Sequence, residues 1–133
     1  MSHSREQSDS DTTVLIAEDD PVFRRLLSMA VDRLGVKVET ACDGEEAYQR
    51  LQQGGITFLV LDHQMPRCTG IEVLERMEAG NSDKAELPPT ILCTAKGYEI
   101  DGPALTKRFG LVAILHKPFS STQLGKLISQ NLP

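Results

Sequence analysis

The chain has 133 residues, 40% of them hydrophobic and 25% charged, which suits one globular domain with a core that needs no disulfide or metal staple. Lys and Arg number 14 against 19 Asp and Glu, a net charge of −5 with no basic cluster, which argues against nucleic acid or an anionic membrane as the main partner. No apolar run approaches the ~20 residues of a membrane span, the first residues have no signal-peptide core, and three cysteines without a CxxC pair read as free thiols in a reducing cytoplasm.

Met1 to Thr13 is polar apart from Met1 and is expected to be a flexible tail, with one domain over 14–133. The first strand is Val14-Leu15-Ile16-Ala17. Asp20 then caps a helix with Pro21 at its first position, and Phe23, Leu26, Leu27, Ala30, Val31 and Leu34 form the inner stripe up to Gly35. Val36 to Thr40 alternates apolar and polar, as a sheet edge does. Asp43 and Glu46 sit at capping-box spacing at the start of a second helix reaching Gln53. Phe58 to Leu61 is the next strand, and a third helix over Gly70 to Ala79 buries Val73, Leu74 and Met77. Thr90 to Cys93 is a strand, Asp101 to Phe109 a weaker helix, and Val112 to Leu115 the last strand. Ser120 and Gln123 open the final helix, with inner positions Leu124, Leu127 and Ile128.

Continuous apolar runs of this length suit strands covered on both faces. Five β units alternating with five α units predict an α/β fold: a three-layer sandwich on a parallel sheet with right-handed crossovers. Function in such sheets collects beyond the carboxyl ends of the strands.

Those ends carry Glu18, Asp19 and Asp20, then Asp62, then Thr94, then His116 and Lys117. Glu18, Asp19 and Asp62 would place three carboxylates in one crevice, where a pair ~4 Å apart repels by roughly 4 kcal/mol at an effective dielectric of 20. Lys117 offsets one charge. Hard oxygen donors without a His/Cys set select Mg²⁺, Mn²⁺ or Ca²⁺ for the remainder. A carboxylate is also a nucleophile toward phosphorus. With Asp62 as nucleophile, the metal and Lys117 as positive charge and Thr94 as hydroxyl donor, the parts make up phosphoryl transfer onto Asp62.

The segments Val14-Leu15-Ile16-Ala17-Glu18-Asp19-Asp20-Pro21, Leu59-Val60-Leu61-Asp62-His63-Gln64-Met65-Pro66, Thr94-Ala95 and Lys117-Pro118-Phe119 together resemble the receiver (response-regulator) domain of bacterial two-component signalling, from Val14 to about Leu132. The resemblance implies a flavodoxin-like (βα)5 fold with strand order 2-1-3-4-5. It implies Asp62 as phosphoacceptor from a phosphohistidine on a sensor histidine kinase or phosphotransfer protein. Mg²⁺ (or Mn²⁺) would be held by Asp19, by Glu18 through water, by Asp62 and by the Gln64 backbone carbonyl. Thr94 and Lys117 would act with Asp62, the switch hydroxyl and the phosphate-binding lysine, and Lys117-Pro118 would be cis. Two positions depart from or vary within the family. Ile114 stands where an aromatic residue is usual. Gln64 and Lys96 occupy positions that tune the lifetime of the phosphorylated form.

The expected output is a switched docking face on the fourth helix, fifth strand and fifth helix. It would be read by a protein target, by an output domain outside this chain, or by a second copy. The expected chemistry is self-catalysed phosphorylation and dephosphorylation rather than ordinary turnover. The alternatives are a docking module without phosphotransfer, and an Asp-nucleophile phosphatase, for which Gln64 stands where a second Asp is needed. Whether the chain is a stand-alone protein or a piece of a larger one stays open. His63 reads as packing or surface, Cys42 and Cys93 as core, and Cys68 as an exposed loop residue.

Overall fold

A computed structural model of the chain describes residues 11–80 and 86–132, so Met1 to Ser10 of the expected tail lie outside the described residues. Strands β1 (Thr13–Ala17), β2 (Lys37–Ala41), β3 (Phe58–Asp62), β4 (Thr90–Thr94) and β5 (Ala113–His116) form one sheet in the order β2-β1-β3-β4-β5. All four pairings are parallel. Between the strands run α1 (Pro21–Asp32), α2 (Gly44–Gln52), α3 (Gly70–Gly80) and α4 (Gly102–Phe109), with a short 3₁₀ turn (Gly97–Glu99) before α4, and α5 (Ser121–Asn131) closes the fold.

Alternation along each strand divides the core. Leu15 and Ala17 of β1, with Leu59 and Leu61 of β3, pack on Ala47 and Leu51 of α2 and Val73, Leu74 and Met77 of α3. Val14 and Ile16, with Phe58 and Val60, face the other way onto Leu27 and Val31 of α1 and Leu124 and Ile128 of α5. Both faces of β1, β3 and β4 are therefore buried, which is why these strands read as unbroken apolar runs.

The helix starts follow the predicted caps. Asp20 Oδ1 accepts from the Val22 and Phe23 N–H groups, Asp43 Oδ1 from Glu46 N–H, and Ser120 Oγ from Gln123 N–H. The start of α3 carries a capping box that sequence reading passed over. Glu72 N–H donates to Thr69 Oγ1 at 3.2 Å, and Thr69 N–H donates to Glu72 Oε1 at 2.9 Å.

Several expectations need correction. β1 begins at Thr13, one residue before Val14, and Thr12 O accepts from Lys37 N–H at 2.9 Å; both threonines are buried, being polar yet at home in strands. The run ending at Leu115 is the edge strand that the order 2-1-3-4-5 implies, but it is not covered on both faces as its apolar run suggests: Ala113 and Ile114 are half-buried and His116 is exposed, because a short apolar run does not report how much of each face is covered. Leu26 is 55% exposed, since α1 turns only the Leu27 and Val31 side onto the sheet. Cys42 is exposed, just ahead of the α2 cap, whereas Cys68 is buried beneath the close approach of Gly44.

Candidate functional site

The register sets the site. Ala17 pairs with Leu61, so the residues that follow them, Glu18 and Asp62, leave neighbouring strands at the same level. Asp62 pairs with Cys93, and Thr94 with His116, which brings Thr94 and Lys117 to the same rim. Lys117 N–H donates to Thr94 O at 2.9 Å, and the Lys117-Pro118 bond is cis. This rim lies where the connections from β1 and β3 leave toward opposite faces, the switch in strand order.

Glu18 is 1% exposed and Asp62 2% exposed. One ligand atom from each of Glu18, Asp19 and Asp62 falls within 4.8 Å of the others. Lys117 Nζ donates to Glu18 Oε1 at 2.7 Å and stands 3.1 Å from Asp62 Oδ1 as an ion pair. Neither carboxylate oxygen of Asp62 has a hydrogen-bond partner among the described residues. Burial raises the Asp62 carboxyl above its ordinary range, more strongly than the charge of Lys117 lowers it. Glu18 is raised as well, first by burial and against its bond to Lys117. Burial works to lower Lys117, but the Glu18 hydrogen bond and the two carboxylates outweigh it, and the ammonium is held above its ordinary value.

A buried carboxylate whose oxygens lack hydrogen-bond partners, with one of them ion-paired to Lys117 and two further acids beside it, suits a hard divalent ion. Glu18, Asp19 and Asp62 are the side chains that could hold it. The donors are all oxygen, and the exposed mouth at Asp19 leaves room for water.

The remaining predicted residues form a second network beside the first. Gln64 Nε2 donates to Thr94 Oγ1 at 3.0 Å, and Lys96 N–H donates to the same oxygen at 3.1 Å. Thr94 thus reaches the rim, but its bonds run to its own loop and to Gln64 rather than to the acids. His63 is half-buried, and its Nδ1 accepts from Ile71 N–H at 3.3 Å, so it braces the start of α3. His116 lies outside the acidic cluster, its ring against Gly97.

Three contributions escaped sequence reading. The Phe23 ring lies under Lys117, with Nζ 4.8 Å from its centroid, and meets Phe119 edge to face at 5.6 Å. Arg24 donates to Glu18 O at 2.9 Å and Asp19 O at 3.4 Å and ties the acidic loop to α1. The Gln64 side chain stands out in sequence as a missing acid and as a lifetime-tuning position, but not as a partner of Thr94. Spacing within α1 carried a signal for the first two, since Phe23 and Arg24 occupy its first turn.

Residues 14–129 match the family described as the response regulator receiver domain. The chain belongs to that receiver family. It is 34% identical over 116 residues to the transcriptional regulatory protein TrcR of Mycobacterium tuberculosis, covering 86% of this chain and 43% of that one. A CpxR homolog of Haemophilus influenzae is 34% identical over 111 residues, covering 84% and 46%. The chain thus spans less than half the length of these curated relatives. Among solved structures, Vibrio cholerae chemotaxis protein CheY4 superposes with a TM-score of 0.71 at 28% identity, over 91% of this chain and 98% of that one. The receiver domain of Francisella response regulator 1452 superposes at 0.76, with 24% identity, over 90% and 94%. The acidic pocket of Glu18, Asp19 and Asp62 is therefore that of a receiver domain, on the receiver fold. No helix among the described residues is long and apolar enough to cross a membrane.

Proposed function

We propose that this receiver domain accepts a phosphoryl group on Asp62 and uses it to switch a protein-docking face. The observation that carries the reading is Asp62 itself. It is buried, both oxygens lack hydrogen-bond partners, and a lysine and two further acids surround it.

An Asp62 oxygen attacks phosphorus, the bond from phosphorus to the donor imidazole nitrogen breaks, and that nitrogen keeps the electron pair and later takes a proton from water. The product is an acyl phosphate. Asp19, Asp62, the Gln64 carbonyl and, through water, Glu18 would hold Mg²⁺ or Mn²⁺, which would supply positive charge for the phosphoryl oxygens. Lys117, 3.1 Å from Asp62 Oδ1, supplies a second positive charge. The donor is a phosphohistidine on a sensor kinase or phosphotransfer protein. Phosphorylation adds about −1.5 to −2 charge at one point. Thr94 then turns to the phosphoryl group, and the loop from Lys96 to Phe109 follows, changing the face of α4, β5 and α5. The folded unit from Val14 onward performs this in the cytoplasm. A downstream protein, an output domain beyond this chain, or a second copy reads the face. The Gln64 amide, bound to Thr94 and Ala95, occupies the position of the general acid a phosphatase of this chemistry would need.

The test is incubation with acetyl phosphate, with and without Mg²⁺, followed by intact mass. One phosphoryl group is expected only with Mg²⁺ and none on Asp62→Asn. Labelling of the Asn variant to the same extent would overturn the assignment.

A further inference from the structure

Thr94 Oγ1 is fully committed. It accepts from Gln64 Nε2 at 3.0 Å and from Lys96 N–H at 3.1 Å, which fills both acceptor positions of a hydroxyl. Its own hydrogen has Gln64 Oε1 as an acceptor at 3.4 Å. Ala95 N–H donates to the same Oε1 at 3.0 Å. That last bond sets the amide, because an N–H needs the oxygen opposite it, which leaves Nε2 for Thr94. One glutamine from the β3–α3 loop therefore clasps the β4–α4 loop at two points.

We infer that Gln64 is a positioning residue whose amide latches Thr94 in the resting state, so that Thr94 must leave Gln64 before it can donate to a phosphoryl group on Asp62. The inference rests on the phosphoacceptor reading and goes beyond it. The latch is built to open. Ala95 is exposed, so water takes its N–H on release, and a phosphoryl oxygen offers the Thr94 hydroxyl a charged acceptor in place of a neutral amide. Each bond holds the resting state by roughly fivefold, so losing both shifts the resting-to-active ratio roughly five- to thirtyfold.

The experiment compares the wild type with Gln64→Met, which keeps length and bulk without the amide, and with Gln64→Ala. Beryllofluoride with Mg²⁺ serves as the phosphoryl mimic, and amide hydrogen exchange is followed in the protein without it. Both variants are expected to exchange faster at Ala95 and Lys96 and to bind beryllofluoride roughly five- to thirtyfold more tightly, while their urea midpoints fall or stay put. A side chain that only supports the loop would give weaker binding on removal, not tighter. If the wild type binds and both variants bind equally or less tightly, the latch is overturned and the phosphoacceptor reading stands. If the wild type neither binds the mimic nor takes a phosphoryl group at Asp62, the phosphoacceptor reading is overturned and the latch with it.

Discussion

Lys117 Nζ stands between Glu18 and Asp62, 2.7 Å from Glu18 Oε1 and 3.1 Å from Asp62 Oδ1, one cation shared by two buried carboxylates. The sharing is incomplete, because a third acid, Asp19, contributes to the same cluster. The imbalance has consequences for stability, metal binding and switching.

The first concerns pH. Asp62 and Glu18 are raised above their ordinary values in the fold, chiefly by burial. Between the ordinary carboxyl range near ~4 and the raised folded values, the native chain holds more protons than the unfolded one, so stability falls as pH rises through that window. Glu39 acts the other way: its hydrogen bond to Arg50 lowers it, and the stability it contributes is lost as pH falls. Without divalent metal, Asp62→Asn is expected to stabilise the protein by about 1 kcal/mol at pH 7 and by less at pH 5. Urea unfolding in EDTA at the two pH values measures this, and an equal or opposite effect would show that Asp62 is not a destabilising charge.

The second concerns the ion. Mg²⁺ at 100 times its dissociation constant should stabilise the wild type by about 2.7 kcal/mol. Asp19 is the exposed member of the cluster, so Asp19→Asn should leave the fold intact while abolishing that gain. Thermal unfolding with and without MgCl₂ checks it. A full Mg²⁺ response in the variant would remove Asp19 from the ligand set.

The third concerns Gly70. A Cβ there would lie 2.5 Å from Asp62 O and 2.9 Å from His63 Cα, so the end of β3 must move to admit it. Gly70→Ala should cost about 1–3 kcal/mol and slow labelling by acetyl phosphate. Gly80→Ala, whose Cβ meets only side-chain atoms at 3.7 Å and beyond, serves as the contrast and should be neutral or stabilising. Equal urea midpoints for the two variants would mean that the close approach at Gly70 has no structural weight.

The fourth concerns Thr94. Thr94→Ala should still be labelled at Asp62, since the hydroxyl bonds Gln64 and Lys96 rather than the acids in the resting state. The response of Gly97 to Phe109 to beryllofluoride and Mg²⁺ should shrink. Backbone amide NMR shifts report it, and an undiminished response would place the switch elsewhere.

The acidic site was legible because its residues directly follow apolar strands, and a parallel sheet brings such positions to one rim whatever their separation in sequence. Glu18, Asp62 and Lys117 needed no knowledge of loop paths. The Gln64 contact did: it depends on how two loops curl toward each other, and no periodicity encodes that. Leu26, Cys42 and Cys68 failed for a related reason. Apolar character gives the width of a stripe or the chance of burial, but which edge of α1 meets the sheet, and which loop residue lies under Gly44, is decided by tertiary approach. The Thr69 and Glu72 capping box, by contrast, is readable from spacing alone, Thr69 standing just before Gly70 and Glu72 three residues on.

β5 is the last strand of the sheet and an edge strand, and Lys117 comes directly after it. During synthesis from the N-terminus, a ribosome-bound chain that has emerged only as far as Thr94 already carries Glu18, Asp19 and Asp62 but has no ammonium to set among them. The nascent β1–β3 pair would then hold like charges at its tip, a reason for its loops to stay open. Closing them waits on the final strand and on α5, whose Leu124 and Ile128 cover one face of the sheet, so a chain truncated before Lys117 is expected to lose that half of its core together with the pocket.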